Sequence, residues 1–132
     1  MNTLKVEVSK IENIENLNIV SFTLKQQQLK MMSLDLPKNM QINSQVTLGF
    51  KASSVAIAKE FTGELSYSNQ LPVNIKKIDL GELLCSLTLS FETSLFESII
   101  TADAAKRLRL KEGDQVLALI KSSDISLLEV LS

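Results

Sequence analysis

The stretch QVTLGFKASSVAIA, at residues 45–58, returns in the second half of the chain as QVLALIKSSDISLL, at residues 115–128. In both stretches apolar and polar residues alternate, which is typical of a β-strand with one buried face. Each first strand ends at a lysine, Lys51 or Lys121, and small polar residues follow before the apolar pattern resumes. The two stretches therefore predict a strand, a tight polar connection and a second strand, built twice in one chain.

The duplication continues on both sides of these stretches. Leu4 matches Leu71 at an offset of 67 (71 minus 4), Ser21 matches Ser86 at 65 (86 minus 21), and Ser33 matches Thr101 at 68 (101 minus 33). The order of strand-like and turn-like segments is the same in both halves. We therefore divide the chain into a first repeat at residues 1–60, a connector at residues 61–68 and a second repeat at residues 69–132.

Each repeat is predicted to contain three strands, a short helix and two more strands. In the second repeat Thr101 can cap the helix, and Asp103 suits the positive end of its first turn. In the first repeat Pro37 restricts the equivalent helix to a turn or two. The fold class is therefore all-β with one short helix per repeat, as two tandem OB-like five-stranded barrels, an architecture that leaves few open strand edges.

Composition excludes several classes of protein. The 132 residues include no histidine and one cysteine, so a histidine-dependent hydrolase, a classical zinc site and an internal disulfide are excluded. The net charge of −1 argues against a nucleic-acid or anionic-lipid partner, and no apolar run is long enough to span a bilayer. Scattered carboxylates and an apolar setting for Cys85 argue against an enzyme. We expect a cytoplasmic binding protein.

The apolar content is high for a chain of this size. Hydrophobic residues make up 45% of the sequence, and a small domain buries only about two thirds of its unfolded surface. We therefore expect part of the apolar surface to be covered in a homo-oligomer.

Two places carry groups that can bind an anion. In each of the two connections, backbone N–H groups left open by small residues, a serine hydroxyl and a lysine ammonium could converge on a tetrahedral anion, or the connections could simply be polar turns chosen for their geometry. At the start of the predicted helix, Thr101 and Arg107 fall on one face and could contact the same anion. Alternatively, Arg107 belongs to a solvated helix face. A site containing only donors suits a fully deprotonated dianion.

These motifs resemble a known family, the Mop domain proteins, also called molbindins or TOBE domains, and in particular their tandem members. The shared features are a threonine-led helix, a Leu-Lys-x-Gly turn and a Lys-Ala-Ser-Ser-Val hairpin. The resemblance implies OB-like barrels, homotrimers, and molybdate or tungstate bound between subunits. We expect no organic cofactor and no metal ion held directly by side chains. The implicated residues are Thr101, Arg107, Lys121, Ser122 and Ser123 in the second repeat, and Ser33, Lys51, Ala52 and Ser53 in the first.

The sequence departs from the family where repeats commonly begin with Ser-Ala-Arg-Asn. The equivalent residues here are Ser66-Tyr67-Ser68-Asn69, in which serine replaces the arginine. We retain Ser66, Ser68 and Asn69 as candidate anion contacts. The first repeat has only Met1 and Asn2 before Thr3, so the corresponding triplet is absent there.

The resemblance leaves two functions open. The first is binding and storage of molybdate or tungstate at subunit interfaces, for homeostasis of the anion. The alternative is a molybdate-sensing regulatory module that acts on a transporter ATPase or a transcriptional regulator. No helix-turn-helix precedes Leu4 and no nucleotide-binding loop is present, so a regulatory role would require a partner protein.

Overall fold

The computed structural model describes all 132 residues as ten strands and one α-helix. In the first half the strands are β1 (Asn2–Ile14), β2 (Leu17–Leu24), β3 (Gln27–Ser33), β4 (Gln45–Phe50) and β5 (Ala56–Ala58). In the second half they are β6 (Asn69–Leu80), β7 (Leu84–Phe91), β8 (Ser94–Thr101), β9 (Gln115–Ile120) and β10 (Ser126–Val130), with helix α1 at Ala102–Arg107. The predicted number and order of strands are confirmed.

The strands form two curled five-stranded sheets that exchange their last strands. The first sheet has the order β10-β4-β1-β2-β3, and the second has the order β5-β9-β6-β7-β8. Thus β10 completes the sheet of the first half, and β5 completes the sheet of the second. The boundaries at residues 1–60 and 69–132 remain a prediction about sequence repeats. Each hydrogen-bonded sheet contains strands from both repeats, so the sheets do not coincide with these boundaries.

Two short segments carry the chain from one sheet to the other. The first crossover (residues 51–55) and the second crossover (residues 121–125) each contain a single 3₁₀ turn, at Ala52–Ser54 and Ser122–Asp124. Each turn follows a lysine with an extended backbone. Val55 and Ile125, which end the crossovers, are buried. Burial of these two apolar residues fixes the path of each crossing strand into the opposite sheet.

Strand pairing after the crossovers is antiparallel and equivalent in the two halves. Ser126 pairs with Gly49 in the first sheet, and Ala56 pairs with Leu119 in the second. The exchange therefore joins residues far apart in the sequence. It also brings the two crossovers close to one another, which places the candidate site.

The register corrects one of the offsets read from the sequence. Val8 pairs with Phe22, and Ile75 pairs with Leu89. The first two strands of each half therefore keep a constant offset of 67 (75 minus 8, and 89 minus 22). The match of Ser21 with Ser86 is wrong, and Ser21 corresponds to Thr88. Alternation repeats at every second position, so a slip of two preserves the apolar pattern and cannot be detected from it.

The α-helix is present only in the second half. Thr101 Oγ1 accepts a hydrogen bond from the backbone N–H of Ala104 at 3.0 Å, which confirms the predicted cap. In the first half, residues 34–44 form turns without an α-helix, so the prediction of a helix at this position is wrong. Pro37 disfavours the α conformation of the residue before it and lacks a backbone N–H. Unlike helix α1, this segment contains no alanines, which would favour a helix despite the proline.

Both sheets contribute to one continuous apolar core. It includes three fully buried phenylalanines, Phe22, Phe50 and Phe91. Cys85 is buried in the same core, as predicted, and this burial, with a smaller effect of the Asp79 charge, raises the pKa of its thiol. None of the helical segments has the length and apolar character needed to cross a membrane.

Lys59 ties the end of β5 to the end of helix α1. Its Nζ donates to the carbonyl oxygens of Leu108 at 3.1 Å and Arg109 at 2.9 Å, and lies 3.3 Å from Oδ2 of Asp114. The last carbonyls of a helix lack partners within the helix, and a cation there is favoured. The exchanged strand is thereby fastened to the half of the chain that it enters.

Asp114 is expected to make stability depend on pH. A hydrogen bond from the Lys111 backbone N–H, opposed by burial and reinforced by Lys59, lowers the pKa of Asp114. A lowered pKa gives stability that is present above the ordinary aspartate value, about 3.9, and is lost as the pH falls through the lowered value. Asp114→Asn should therefore cost most stability above roughly pH 4 and progressively less towards pH 2.

Thermal unfolding of both proteins across this range measures the difference. Asp79→Asn is the matched control, because Asp79 is exposed and lies 3.8 Å from Lys77 Nζ. The control should follow the wild-type profile. A difference between Asp114→Asn and wild type that stays constant from pH 7 to pH 2 would show that the Asp114 charge does not contribute.

Candidate functional site

A small polar cavity lies between the two crossovers. It has a volume of about 230 Å³ and is lined by Met1, Gly49, Phe50, Lys51, Ser54, Ser123, Asp124 and Ser126. Residues from opposite halves meet here because β10 runs beside β4. The cavity thus joins Lys51 of the first crossover to Ser123 of the second, two of the residues predicted to contact an anion.

The charges at the crossovers are unpaired within the chain. All five intrachain ion pairs involve other residues, so neither Lys51 nor Lys121 has a carboxylate within ion-pair distance. Lys59, by contrast, is held in the network at the end of helix α1. Both crossover lysines are exposed. Each crossover therefore presents a free ammonium group, which is available to an anion without breaking an ion pair.

The hydroxyl groups in the cavity are also free. No side-chain hydrogen bond within the chain engages Ser54, Ser123 or Ser126. Each hydroxyl supplies one donor, and Lys51 supplies up to three. A volume of 230 Å³ is several times the roughly 30 Å³ that one water occupies in the liquid. It therefore has room for a tetrahedral oxyanion and some of its water.

Ser33 meets the second crossover rather than the first. It lines a larger cavity, of about 670 Å³, to which Ser123 and the start of β10 also contribute. Its hydroxyl donates to the carbonyl oxygen of Asp35 at 2.7 Å. The predicted first-repeat group of Ser33 with Lys51, Ala52 and Ser53 is thus divided, since Ser33 neighbours a serine from the other repeat.

Thr101 and Arg107 do not line the Lys51 cavity. The Thr101 hydroxyl oxygen caps helix α1, and its hydrogen stays free to donate. Arg107 Nη1 lies 2.9 Å from Oδ2 of Asp103, and both side chains are largely exposed. In a single chain the Arg107 side chain therefore lies on the solvent-exposed face of the helix, which is the alternative that the sequence left open. Lys121, Ser122 and Ser123 lie on the second crossover, which packs against β3 of the first half.

Asn69 has a structural role that uses its whole amide. It is fully buried, and its Oδ1 accepts from the Lys30 N–H at 2.7 Å. Its Nδ2 donates to the carbonyl oxygens of Lys30 and Ile120, each at 3.0 Å. No donor remains for an anion while these bonds are intact. Ser66 and Ser68 are exposed in the connector, without hydrogen bonds from their side chains within the chain.

Asn2 is the counterpart of Asn69 in the first half. Its Oδ1 accepts from the Glu97 N–H at 2.9 Å, and its Nδ2 donates to the Glu97 carbonyl at 2.8 Å. Each asparagine therefore fastens the first strand of one half to the third strand of the other. Asn2 was not among the predicted residues, although its offset from Asn69, 67 (69 minus 2), equals that of Leu4 from Leu71 and could have revealed it.

Three polar residues that line the cavity were also absent from the predicted sites: Ser54, Asp124 and Ser126. Ser54 and Asp124 occupy equivalent positions, each three places after the lysine that begins its crossover. Ser126 reaches the cavity only because β10 is exchanged. No group of three acidic, cysteine or histidine side chains could hold a metal ion. The arrangement suits an anion held by an ammonium, hydroxyls and nearby backbone amides.

Comparison with known proteins supports this interpretation. The model of the TOBE domain family matches residues 65–127. The structure of the cytoplasmic molybdate-binding protein ModG with molybdate bound superposes with a TM-score of 0.89 at 26% identity, covering 96% of this chain and 94% of that chain. A molybdate-binding protein from Sporomusa ovata covers 53% of this chain and 100% of its own at 28% identity, with a TM-score of 0.47. No curated protein matches the chain.

The structural match to ModG extends over both halves of the chain, beyond the residues that the TOBE family matches. It therefore includes the exchanged strands and both crossovers. Residues 65–127 match the TOBE domain family, and the chain as a whole has the two-domain OB-like fold of ModG.

Proposed function

We propose that this protein binds molybdate or tungstate for storage and homeostasis of the anion. The observation that carries the proposal is the match of nearly the whole chain to ModG, a molybdate-binding protein. The unpaired lysines of the two crossovers and the free hydroxyls beside Lys51 are consistent with it. The relatives are binding proteins rather than enzymes, and we propose the same of this chain.

Anion capture would use donors already present at the crossovers. An ammonium and several hydroxyls can replace part of the hydration shell of a dianion, and charge-assisted hydrogen bonds are about twice as strong as neutral ones. Donors from a second copy of the chain would complete the shell. We propose that Thr101, Arg107 and the predicted serines outside the Lys51 cavity act from such interfaces, namely Ser33, Ser53, Ser66, Ser68 and Ser122.

Exposed apolar side chains support association of several copies. Leu83 is 82% exposed and Ile14 is 78% exposed, each at the end of a long hairpin. Leu34 and Leu95 are exposed to 70% and 64%. Leu80 and Leu84, at the same turn as Leu83, are also exposed, and a contiguous apolar patch marks an interface. We propose a homotrimer, located in the cytoplasm as stated for ModG, with no organic cofactor.

Calorimetric titration with molybdate, tungstate and sulfate tests this proposal directly. We expect heat of binding for molybdate and tungstate, and a melting temperature that rises with anion concentration, because a ligand that binds only the folded state stabilises it. Native mass measurement of the loaded protein should give a trimer with a fixed number of anions. Absence of both heat and stabilisation at millimolar molybdate would end the proposal.

Loss of either crossover lysine is expected to weaken molybdate binding. Lys51→Met and Lys121→Met keep the aliphatic stem but remove a charge-assisted hydrogen bond, worth about 1.5–3 kcal/mol. Affinity at the altered site should fall about ten- to hundredfold, whereas stability without anion should change by less than about 0.5 kcal/mol. Titration calorimetry and urea unfolding give the two quantities.

Lys76→Met is the matched control, because Lys76 is exposed, unpaired and outside the cavity. It removes the same net charge and should leave the affinity unchanged. Equal weakening in all three variants would indicate only a general effect of charge. Unchanged affinity in both crossover variants would show that the crossovers are polar turns without a binding role.

A further inference from the structure

The third strand of each half carries a single charged residue, and the two charges are opposite. β3 contains Lys30, and β8 contains Glu97. Lys30 pairs with Ser21 and Glu97 pairs with Thr88, so both positions follow the constant offset of 67 (97 minus 30, and 88 minus 21). Neither Lys30 nor Glu97 forms an ion pair within the chain. The duplication therefore places a free ammonium group and a free carboxylate at equivalent positions.

Strand exchange brings Lys30 to the second crossover. β3 packs against this crossover. Asn69 bonds to both main-chain groups of Lys30 and also donates to the carbonyl oxygen of Ile120, the residue before Lys121. Lys30 and Lys121 are thus connected through one buried side chain, and an anion at the second crossover lies near two lysines.

Glu97 occupies the corresponding place beside the first crossover. β8 packs against this crossover, and Asn2 bonds to both main-chain groups of Glu97. Asn2 pairs with Phe50, the residue before Lys51. Glu97 and Ala52 also line one cavity of about 420 Å³. An anion at the first crossover therefore lies near a carboxylate instead of a second lysine.

A charge acts on a bound anion without touching it. The Coulomb energy falls with the inverse of the distance, and salt screens it strongly only beyond roughly 8–10 Å at ordinary ionic strength. Lys30 and Glu97 therefore need to be near the crossovers, but neither needs a hydrogen bond to the anion. Met1, Asp35 and Asp124 line cavities beside the crossovers as well, so the contribution of Lys30 or Glu97 is measured by neutralising that residue alone.

We infer that Lys30 strengthens oxyanion binding at the second crossover and that Glu97 weakens it at the first. These two roles rest on the proposed molybdate binding, and both crossovers bind the anion. The two charges move the affinities of the duplicated sites in opposite directions. A protein with sites of different affinity buffers an anion over a wider range of concentration than a protein with equal sites.

Variants with one weakened crossover isolate the two effects. Lys121→Met leaves the first crossover intact, and Lys51→Met leaves the second intact. Adding Glu97→Gln to Lys121→Met should tighten molybdate binding about three- to tenfold, because a repulsive charge is removed. Adding Lys30→Met to Lys51→Met should weaken it by a similar factor. Titration calorimetry of the full-length protein gives both affinities, and both shifts should shrink as sodium chloride is added.

Distant charges are the controls. Lys76 and Glu112 are exposed and form no ion pair. They adjoin Ile75 and Gly113, which bond to each other before the start of β9, whereas the second crossover follows its end. Lys76→Met and Glu112→Gln should therefore change the affinity by less than about twofold in either background.

Exchanging the backgrounds tests whether each effect is local. Lys30→Met in the Lys121→Met chain, and Glu97→Gln in the Lys51→Met chain, should produce smaller shifts than in the intended backgrounds. The bonds to the two asparagines use main-chain groups of Lys30 and Glu97. Urea unfolding without anion should therefore find each variant nearly as stable as its parent.

The outcomes separate this inference from the proposed function. If wild type binds molybdate but Glu97→Gln does not tighten binding at the first crossover, the inference is overturned and the function stands. Shifts of equal size in both backgrounds, or no weakening by Lys30→Met, would overturn it as well. If wild type binds no molybdate, the proposed function fails and these two roles fail with it.

Discussion

Removing residues 126–132 is expected to unfold the first half of the chain while much of the second half stays protected. The deleted strand, β10, pairs with β4 of the first sheet and makes no ladder with its neighbour in sequence, β9. Its loss removes Leu127 and Val130, which are partly buried against the core. Backbone bonds to β4 are lost as well.

The expected cost is large compared with the stability of a small domain. Full burial of an aliphatic side chain contributes about 1.5–3 kcal/mol, so loss of the two partly buried side chains of β10 should cost roughly 2–4 kcal/mol before hydrogen bonds are counted. Total stabilities are about 5–15 kcal/mol. Hydrogen exchange followed by mass spectrometry should show β4 losing its protection first, and β9 keeping more of its own.

A shorter truncation serves as the control. Removing only residues 131–132 deletes the bonds from the Leu131 and Ser132 N–H groups to the Gln45 carbonyl and the bond from the Gln45 N–H to the Ser132 hydroxyl, but leaves β10 intact. That variant should retain protection in β4 beyond Gln45, whose own N–H loses its partner. If the longer truncation instead exposes β9 and spares β4, the last strand belongs to its own half, and the exchange of strands is wrong.

Asn69→Ala is expected to destabilise the protein by about 3–5 kcal/mol. The side chain is fully buried and makes three hydrogen bonds to backbone groups, one from the Lys30 N–H and one to each carbonyl of Lys30 and Ile120. Alanine leaves these groups buried without partners, and each such group costs about 1–3 kcal/mol. The unfilled volume adds to the loss.

Urea unfolding measures this effect, with Asn74→Ala as the matched control. Asn74 lies on the same strand, is half-buried and makes no side-chain hydrogen bond, so its replacement should cost less than about 1 kcal/mol. A loss for Asn69→Ala no larger than that of the control would mean that water or a relaxed backbone replaces its bonds. Asn69 would then be free to contact an anion, as the family resemblance implies.

The sequence was sufficient to predict the number and order of the strands, because each half alternates apolar and polar residues in step with the strand period. The capped helix after Thr101 was predictable for a similar reason, since capping depends on residues that are close in the sequence. Strand exchange was not predictable. A strand that returns to its own sheet and one that crosses over bury the same face, so both give the same pattern of residues.

The candidate site was predicted in part. Lys51 and Ser123 were named from the duplicated crossovers, but they meet only because the crossovers lie side by side. The same long-range arrangement brings in Ser126 and Asp124, which no local motif distinguishes from ordinary turn residues. Asn69 was assigned to the anion because the family places it near one. Its hydrogen bonds to Lys30 depend on β3, which is distant in the sequence.

The exchanged strands also govern when the protein can fold during its synthesis. Gly49 leaves the ribosome long before its partner Ser126, with a delay of roughly 4–15 s at ordinary elongation rates. Throughout that interval the nascent first half carries an open strand edge, which is prone to pair with other chains. Folding of either half therefore awaits nearly the complete polypeptide, and chaperone protection during translation should matter more here than for two independent barrels.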